Sequence, residues 1–213
     1  MDPTTLESIK QYFNDRGFKS PLLLEHPICN PYSGESIYFF QSDTSAIDRS
    51  EHDSLQFIYT LEPGGKMPLK HLHPIQTETF EVILGCLTMQ RIRDRVTITA
   101  GNAYTVNPGE THCPMNHSDQ IQAVVLVTVF PAQNFKTNLE TIFGLAAEGN
   151  CDRKGKPSFL QLIAIMNRYP DIGFIPWIPT WIQRLVAKLL APVSARRGYL
   201  PSYERFSQAD RTS

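Results

Sequence analysis

Charge of one sign is what this sequence lacks first. Its 20 Lys and Arg stand against 21 Asp and Glu, for a formal net charge of −1. So balanced a chain has no broad field with which to hold nucleic acid or an anionic membrane. Cysteine is scarce, and Cys29, Cys86, Cys113 and Cys151 make no CxxC pair. No apolar run follows a basic start as a secretory signal would, so disulfides are not expected and a reducing, cytoplasmic compartment is. No apolar run approaches the ~20 residues of a membrane span, which argues against stable insertion. The final RTS does not match a peroxisomal signal of the SKL type. Internal repeats and low-complexity tracts are missing too.

Proline, in contrast, is plentiful. Sixteen in 213 residues favour a loop-rich β body over a helical bundle. The length suits one domain with appended elements. Residues 4–16 read as a short helix, with Leu6, Ile9 and Phe13 at helical spacing and Gly17 at the cap. From residue 36 to 131 short runs such as LQFIYTL, TFEVIL and QAVVLVTVF are separated by Gly, Pro, Asp and Asn. That spacing predicts an antiparallel sandwich or barrel. RVTITAG alternates, placing Val96 and Ile98 on one face. After Pro131 the period turns helical in NLETIFGLAAEG, SFLQLIAIMNRY and WIQRLVAKLLAPV, with NCDRKGKP as a linker between the first two. The expected division is an N-terminal helix and arm over 1–35, a β body over 36–131 and a helical extension over 132–213.

In the last helix Trp181, Ile182, Leu185, Val186, Leu189 and Leu190 make an apolar face, with Arg184 and Lys188 opposite. At roughly 1.5–3 kcal/mol per large buried side chain, packing on the body or on a second subunit is the expectation. The alternative is a membrane-surface helix anchored by Trp177 and Trp181, which the few cations on its polar face disfavour.

The stretch HLHPIQTETFEVILG carries the chemistry. If the chain near residue 70 is a strand, His71 and His73 share a face, because side chains alternate with a period of two. Glu78 then lies across a turn on the next strand. His112, just beyond the Pro108-Gly109 turn, can supply a fourth ligand. Three imidazoles and a carboxylate suit one divalent ion of Fe, Mn, Ni, Cu or Zn, and ligand type does not choose among them. Four ligands on a six-coordinate ion leave open positions, as catalytic rather than structural centres do.

GKMPLKHLHPIQTETFEVILG resembles the first motif of the cupin superfamily, with Gly65, His71, His73, Glu78 and Gly85 in register. GNAYTVNPGETHCPMN resembles the second, with Gly101, Gly109, His112 and Asn116 in place. Asn107 stands where that motif has proline, and Pro108 follows it. Residues 86–100 separate the two blocks, and the resemblance covers residues 55–130. It implies a mainly β fold, a single antiparallel cupin (jelly-roll) β-barrel, with the short N-terminal helix and the helical extension added. It also implies His71, His73, Glu78 and His112 as metal ligands and a homodimer as the assembly.

Other residues have lesser expectations. His26 and His117 read as surface histidines. Glu81, three residues after Glu78, faces the other way into solvent, Cys113 points away from the ligands, and Cys86 packs as a small apolar group. Glu110 shares strand parity with His112 and is a catalytic acid or base if it faces inward. Phe80, Tyr104 and Met115 are candidate substrate-pocket residues.

The fold fixes no reaction. A metal-dependent oxygenase, with an enolate or phenolate substrate and dioxygen on the metal, is the first reading. A non-redox isomerase, cyclase, dehydratase or decarboxylase on the same site is the second. A non-catalytic small-molecule-binding protein is the third, and no helix-turn-helix points to a regulator. Apolar strands and an aromatic-rich extension suggest a hydrophobic aromatic or polyketide-like substrate of specialised metabolism. The extension, which resembles the tail of a group of single-domain cupins, serves as a lid or a dimer element.

Overall fold

Why one strand is apolar at every position but one explains the layering. AVVLVTVF forms β9 (Ala123–Phe130), which lies between β3 (Leu55–Leu61) and β4 (Thr77–Leu84) in a six-stranded sheet. Ala123, Val125, Val127 and Val129 face the core between the sheets, while Val124 and Leu126 face outward beneath a helix. A strand covered on both faces has no polar side and does not alternate.

The computed structural model describes residues 1–19, 26–40 and 53–207. Its large sheet runs in the order β1 (Ile28–Asn30), β2 (Glu35–Phe39), β3, β9, β4 and β7 (Ala103–Val106). A smaller sheet orders β6 (Arg95–Thr99), β5 (Cys86–Gln90) and β8 (Pro114–Met115). All strand pairs are antiparallel. β6 keeps the expected alternation, with Ile98 buried and Arg95, Thr97 and Thr99 exposed. β1 falls before residue 36, because three residues are too few to show a period.

The covering helix is α1 (Pro3–Asp15), capped by Asp2, whose carboxylate accepts from the Thr5 amide at 3.0 Å. Its buried stripe is Thr5, Ile9, Tyr12 and Phe13. Leu6, expected inside, is exposed, because it sits one residue off that stripe. Glu81 is corrected with it. It does face away from Glu78, but α1 covers that face, and the Tyr12 hydroxyl donates to its carboxylate at 2.6 Å.

Beyond the strands come α2 (Phe135–Ala147), α3 (Phe159–Arg168) and α4 (Thr180–Arg196). α3 packs on α4. Ser194 Oγ donates to the Leu160 carbonyl at 2.7 Å, and Gln161 Nε2 to that of Leu200 at 2.7 Å. The apolar face expected of α4 is split. Ile182 and Val186 turn toward the interior, whereas Trp181, Leu185 and Leu189 are exposed. The stretch taken for a linker is also part of the body: Gly155 abuts the Asn30 side chain, whose Nδ2 donates to the Gly155 carbonyl at 3.2 Å.

The C-terminal turn at Glu204–Phe206 returns to α2, where Phe206 is buried against Gly144. A Cβ on Gly144 would stand 2.3 Å from Phe206 Cγ. Gly144→Ala should therefore lower stability by about 1–3 kcal/mol, although alanine is the better helix former by about 1 kcal/mol. Urea unfolding measures this, and a more stable variant would contradict the packing.

Candidate metal centre

The segment holding His71 and His73 is not a regular strand. It is pinned by isolated backbone bridges on both sides. The His71 amide donates to the His112 carbonyl at 3.1 Å, and the His112 amide returns the bond at 2.9 Å. Leu72, between the two histidines, pairs in the same reciprocal way with Phe174 of the extension, at 3.0 and 2.9 Å. Gly109, at φ 78°, donates its amide to the His73 carbonyl at 2.7 Å. Few other residues tolerate that backbone conformation, so the glycine sets the approach of the His112 loop. Glu78 comes from β4, opposite Val106 of β7 and Val129 of β9, and is buried.

Each imidazole has its Nδ1 against a backbone carbonyl: His71 on Leu69 at 3.1 Å, His112 on Glu110 at 3.1 Å, and His73 on Ile172. A carbonyl only accepts, so Nδ1 carries the hydrogen and each neutral ring presents a bare Nε2 lone pair. Those lone pairs converge. His71 Nε2 lies 2.9 Å from His73 Nε2, which lies 3.2 Å from Glu78 Oε2, and His112 Nε2 is 2.7 Å from the same oxygen. All four donor atoms fall within 4.8 Å of one another. Glu78 Oε2 and His112 Nε2 are buried without a well-formed hydrogen bond.

Two imidazole lone pairs cannot bond each other; a cation between them resolves the contact. Ligands at about 2.1 Å from an ion sit about 3 Å apart when adjacent, which the cluster matches. The residues present fit a divalent metal ion.

Electrostatics agree with the geometry. Burial opposes ionisation of Glu78, yet the neighbouring His73 and His112 together hold its carboxyl well below the usual range. Burial, then the charges of His112 and His73, push the His71 imidazole well below its ordinary value. Burial also disfavours charge on His112, but the bond to Glu78 overrides it and raises the group. With no ion bound, Glu78 and His112 thus each shift toward their charged form, and a metal would take the place of the proton between them.

The four side chains line a cavity of about 330 Å³. β strands supply Ile37, Phe57, Phe80 and Val127; α2 supplies Phe135, Leu139 and Phe143; the extension closes it with Met166, Phe174, Ile182 and Val186. Sequence reasoning missed its polar pair, Glu35 and Tyr59. Glu35 is 2% exposed and accepts from Tyr59 Oη at 2.9 Å and Ser33 Oγ at 2.5 Å. Burial pushes the Glu35 carboxyl up, so it tends to keep its proton. A signal existed, because Glu35 is in phase with the inward Ile37 and Phe39.

Of the other expected site residues, Phe80 lines the cavity with its ring centre 6.3 Å from that of His112. Tyr104 and Met115 are not among the lining residues. Tyr104 lies opposite Phe80, but its hydroxyl donates to Glu110 at 2.5 Å, and Met115 is buried opposite Thr88 in the small sheet. Glu110 needs the larger correction: its carboxylate is held by Tyr104, the Asn107 amide and Arg91, away from the cavity lining. Burial disfavours its charge, but those three partners prevail and keep it ionised. His26 and His117 are exposed, and Cys113 Sγ turns to the Met67 carbonyl. Cys86 is half-buried.

Residues 57–129 match the family model for the Cupin domain. No protein of curated function matches the sequence. Among solved structures, it is similar to a sugar phosphate isomerase of Silicibacter pomeroyi at 23% identity, over 51% of this chain and 68% of that one, with a TM-score of 0.39. A predicted oxalate decarboxylase from Thermotoga maritima shares 19% identity over 51% and 91%, TM-score 0.41. The polyketide cyclase RemF of Streptomyces resistomycificus shares 14% over 53% and 75%, TM-score 0.40.

Purified protein should bind about one equivalent of a first-row divalent metal, and His112→Ala should weaken binding by more than about a hundredfold. Metal analysis after equilibrium dialysis checks this, and unchanged occupancy would refute the site. Glu35 makes a pH prediction. The native carboxyl keeps a proton that the unfolded chain releases near the ordinary value of 4.5. The unfolded state then binds fewer protons, so stability falls as pH rises above that value, by up to about 1.4 kcal/mol per pH unit. Glu35→Gln should flatten this slope in urea titrations, and identical slopes would contradict the burial argument.

Proposed function

We propose that this chain is a metal-dependent enzyme acting on a small apolar organic molecule. The observation that carries the reading is the convergence of three imidazole lone pairs and the Glu78 carboxylate on a cavity whose lining is otherwise almost wholly apolar. His71, His73, Glu78 and His112 would hold the ion. Bound there with open positions, a divalent metal supplies Lewis acidity and, if redox-active, electron transfer.

The chain's own residues do the rest. The apolar wall takes up substrate carbon skeleton and excludes water, which strengthens every charge interaction inside. Lys70 and Lys156 add their stems to the lining, while their ammonium groups turn to the Arg91 carbonyl at 3.0 Å and to Asp152 at 3.7 Å. Asn138 Oδ1, buried without a hydrogen-bond partner, is available to a substrate donor.

Oxygenase chemistry and non-redox proton-transfer chemistry both suit such a site, and one observation favours the second. The Glu35 carboxyl, pushed up by burial and oriented by Tyr59 and Ser33, lines the same cavity and could give or take a proton there.

Incubating metal-loaded protein anaerobically with a panel of apolar enolisable ketones and phenols separates the two. Product formed without dioxygen, and reduced at least about a hundredfold by Glu35→Gln, supports proton transfer. Turnover that requires and consumes dioxygen assigns the oxygenase instead. Turnover undiminished after metal removal would refute the metal-dependent reading itself.

A further inference from the structure

The outer face of α4 is apolar and uncovered. Trp181, Leu185, Leu189 and Val193 recur every four residues and are exposed, Trp181 at 66% and Leu189 at 67%. Trp177, 69% exposed, precedes the helix in a short loop. That loop is anchored: Gln183 accepts from the Ile175 amide at 3.0 Å and donates to the carbonyls of Ile175 and Ile178, at 2.8 and 2.5 Å. The tryptophan is thus presented on a fixed support. The inward residues Ile182 and Val186 already have their role in the cavity wall, so the outward ridge is a second apolar face on one helix.

Charge identifies what the ridge meets. From Ile172 to Tyr203 the chain carries Arg184, Lys188, Arg196 and Arg197 and no Asp or Glu, within a protein of net charge −1. Arg184 is paired with Asp171 at 2.6 Å. Lys188, Arg196 and Arg197 are exposed and have no ion-pair partner among the described residues. A second copy docked by a two-fold axis would bring these cations toward their equivalents, with no carboxylate on the segment to offset them. An anionic lipid surface satisfies both features. Indole rings and leucines settle at the boundary between headgroups and acyl chains, and lysine and arginine meet the phosphates.

We infer that α4 and the Trp177 loop dock on an anionic phospholipid surface, with the Trp177–Trp181–Leu185–Leu189 ridge in the headgroup layer and Lys188, Arg196 and Arg197 at its phosphates. The expectation against a membrane surface rested on few cations around a packed face. The ridge is exposed, and Lys188, Arg196 and Arg197 beside it have no ion-pair partner among the described residues. No span is involved, since no described helix is long and apolar enough to cross a membrane.

Full-length protein mixed with sucrose-loaded vesicles tests this. It should sediment with phosphatidylcholine vesicles containing phosphatidylglycerol, much less with phosphatidylcholine alone, and less at high salt. The double variant Trp177→Ala, Trp181→Ala should lower partitioning at least about tenfold, and Lys188→Ala, Arg196→Ala, Arg197→Ala together by on the order of a hundredfold. Circular dichroism and metal content should stay those of the parent in both, so loss of binding reads the surface. Absence of sedimentation, or full binding by either variant, would overturn the inference. So would a lipid-free dimer in light scattering that Trp181→Ala, Leu189→Ala converts to monomer, which would make the ridge a protein interface.

Discussion

The site depends on one contact, the His73 Nδ1–H against the carbonyl of Ile172. It joins a ligand carried on the loop after β3 to a segment ninety-nine residues later in the chain. Without it, His73 could expose either ring nitrogen, and its lone pair would have no fixed direction. The neighbouring Leu72–Phe174 bridge holds the two backbones in register, so the carbonyl stands where the ring needs it. His71 and His112 take their acceptors from Leu69 and Glu110, two residues away in each case, within the barrel itself. Only His73 borrows from outside. The extension is therefore part of the centre.

Charge balance explains how such a cluster survives burial. An isolated carboxylate in an apolar pocket would be neutralised by protonation. Glu78 avoids this because two imidazoles face it, and an ion would replace the shared proton with a stronger partner. Glu35 has hydroxyls for neighbours instead of cations, and so the same desolvation drives it to the protonated form. Two acids in one cavity are thereby shifted in opposite directions by their surroundings.

Much of this was legible in the residues. The period-two runs gave the barrel, and the spacing of His71, His73, Glu78 and His112 gave the cluster, although the strand on which the parity argument relied is only a bridged loop. Parity failed at Glu110 because the side chain sits in a turn, where Tyr104, on the strand before that turn, and Arg91 decide its direction. Glu35 was passed over because an acid at a strand start reads as a turn residue. The split of the α4 apolar face was illegible in principle: helical period shows which residues share a stripe, not how wide a stripe the neighbouring helix can cover.

The double role of the Ile172–Ile182 stretch has a mechanical consequence. Ile172 and Phe174 reach the ligand loop, while Ile175, Ile178 and Ile182 wall the cavity and Gln183 locks the turn between them. They belong to one short stretch, pinned at Phe174 by its backbone pairing with Leu72 and at Ile175 and Ile178 by the Gln183 side chain. A displacement that carried Ile172 with it would withdraw the acceptor from His73. Access for substrate by this route and the geometry of the metal centre are then coupled through one carbonyl. A closed wall gives a directed lone pair, and an opened wall gives a freely turning ring. That coupling follows from connectivity alone, whatever reaction the cavity hosts.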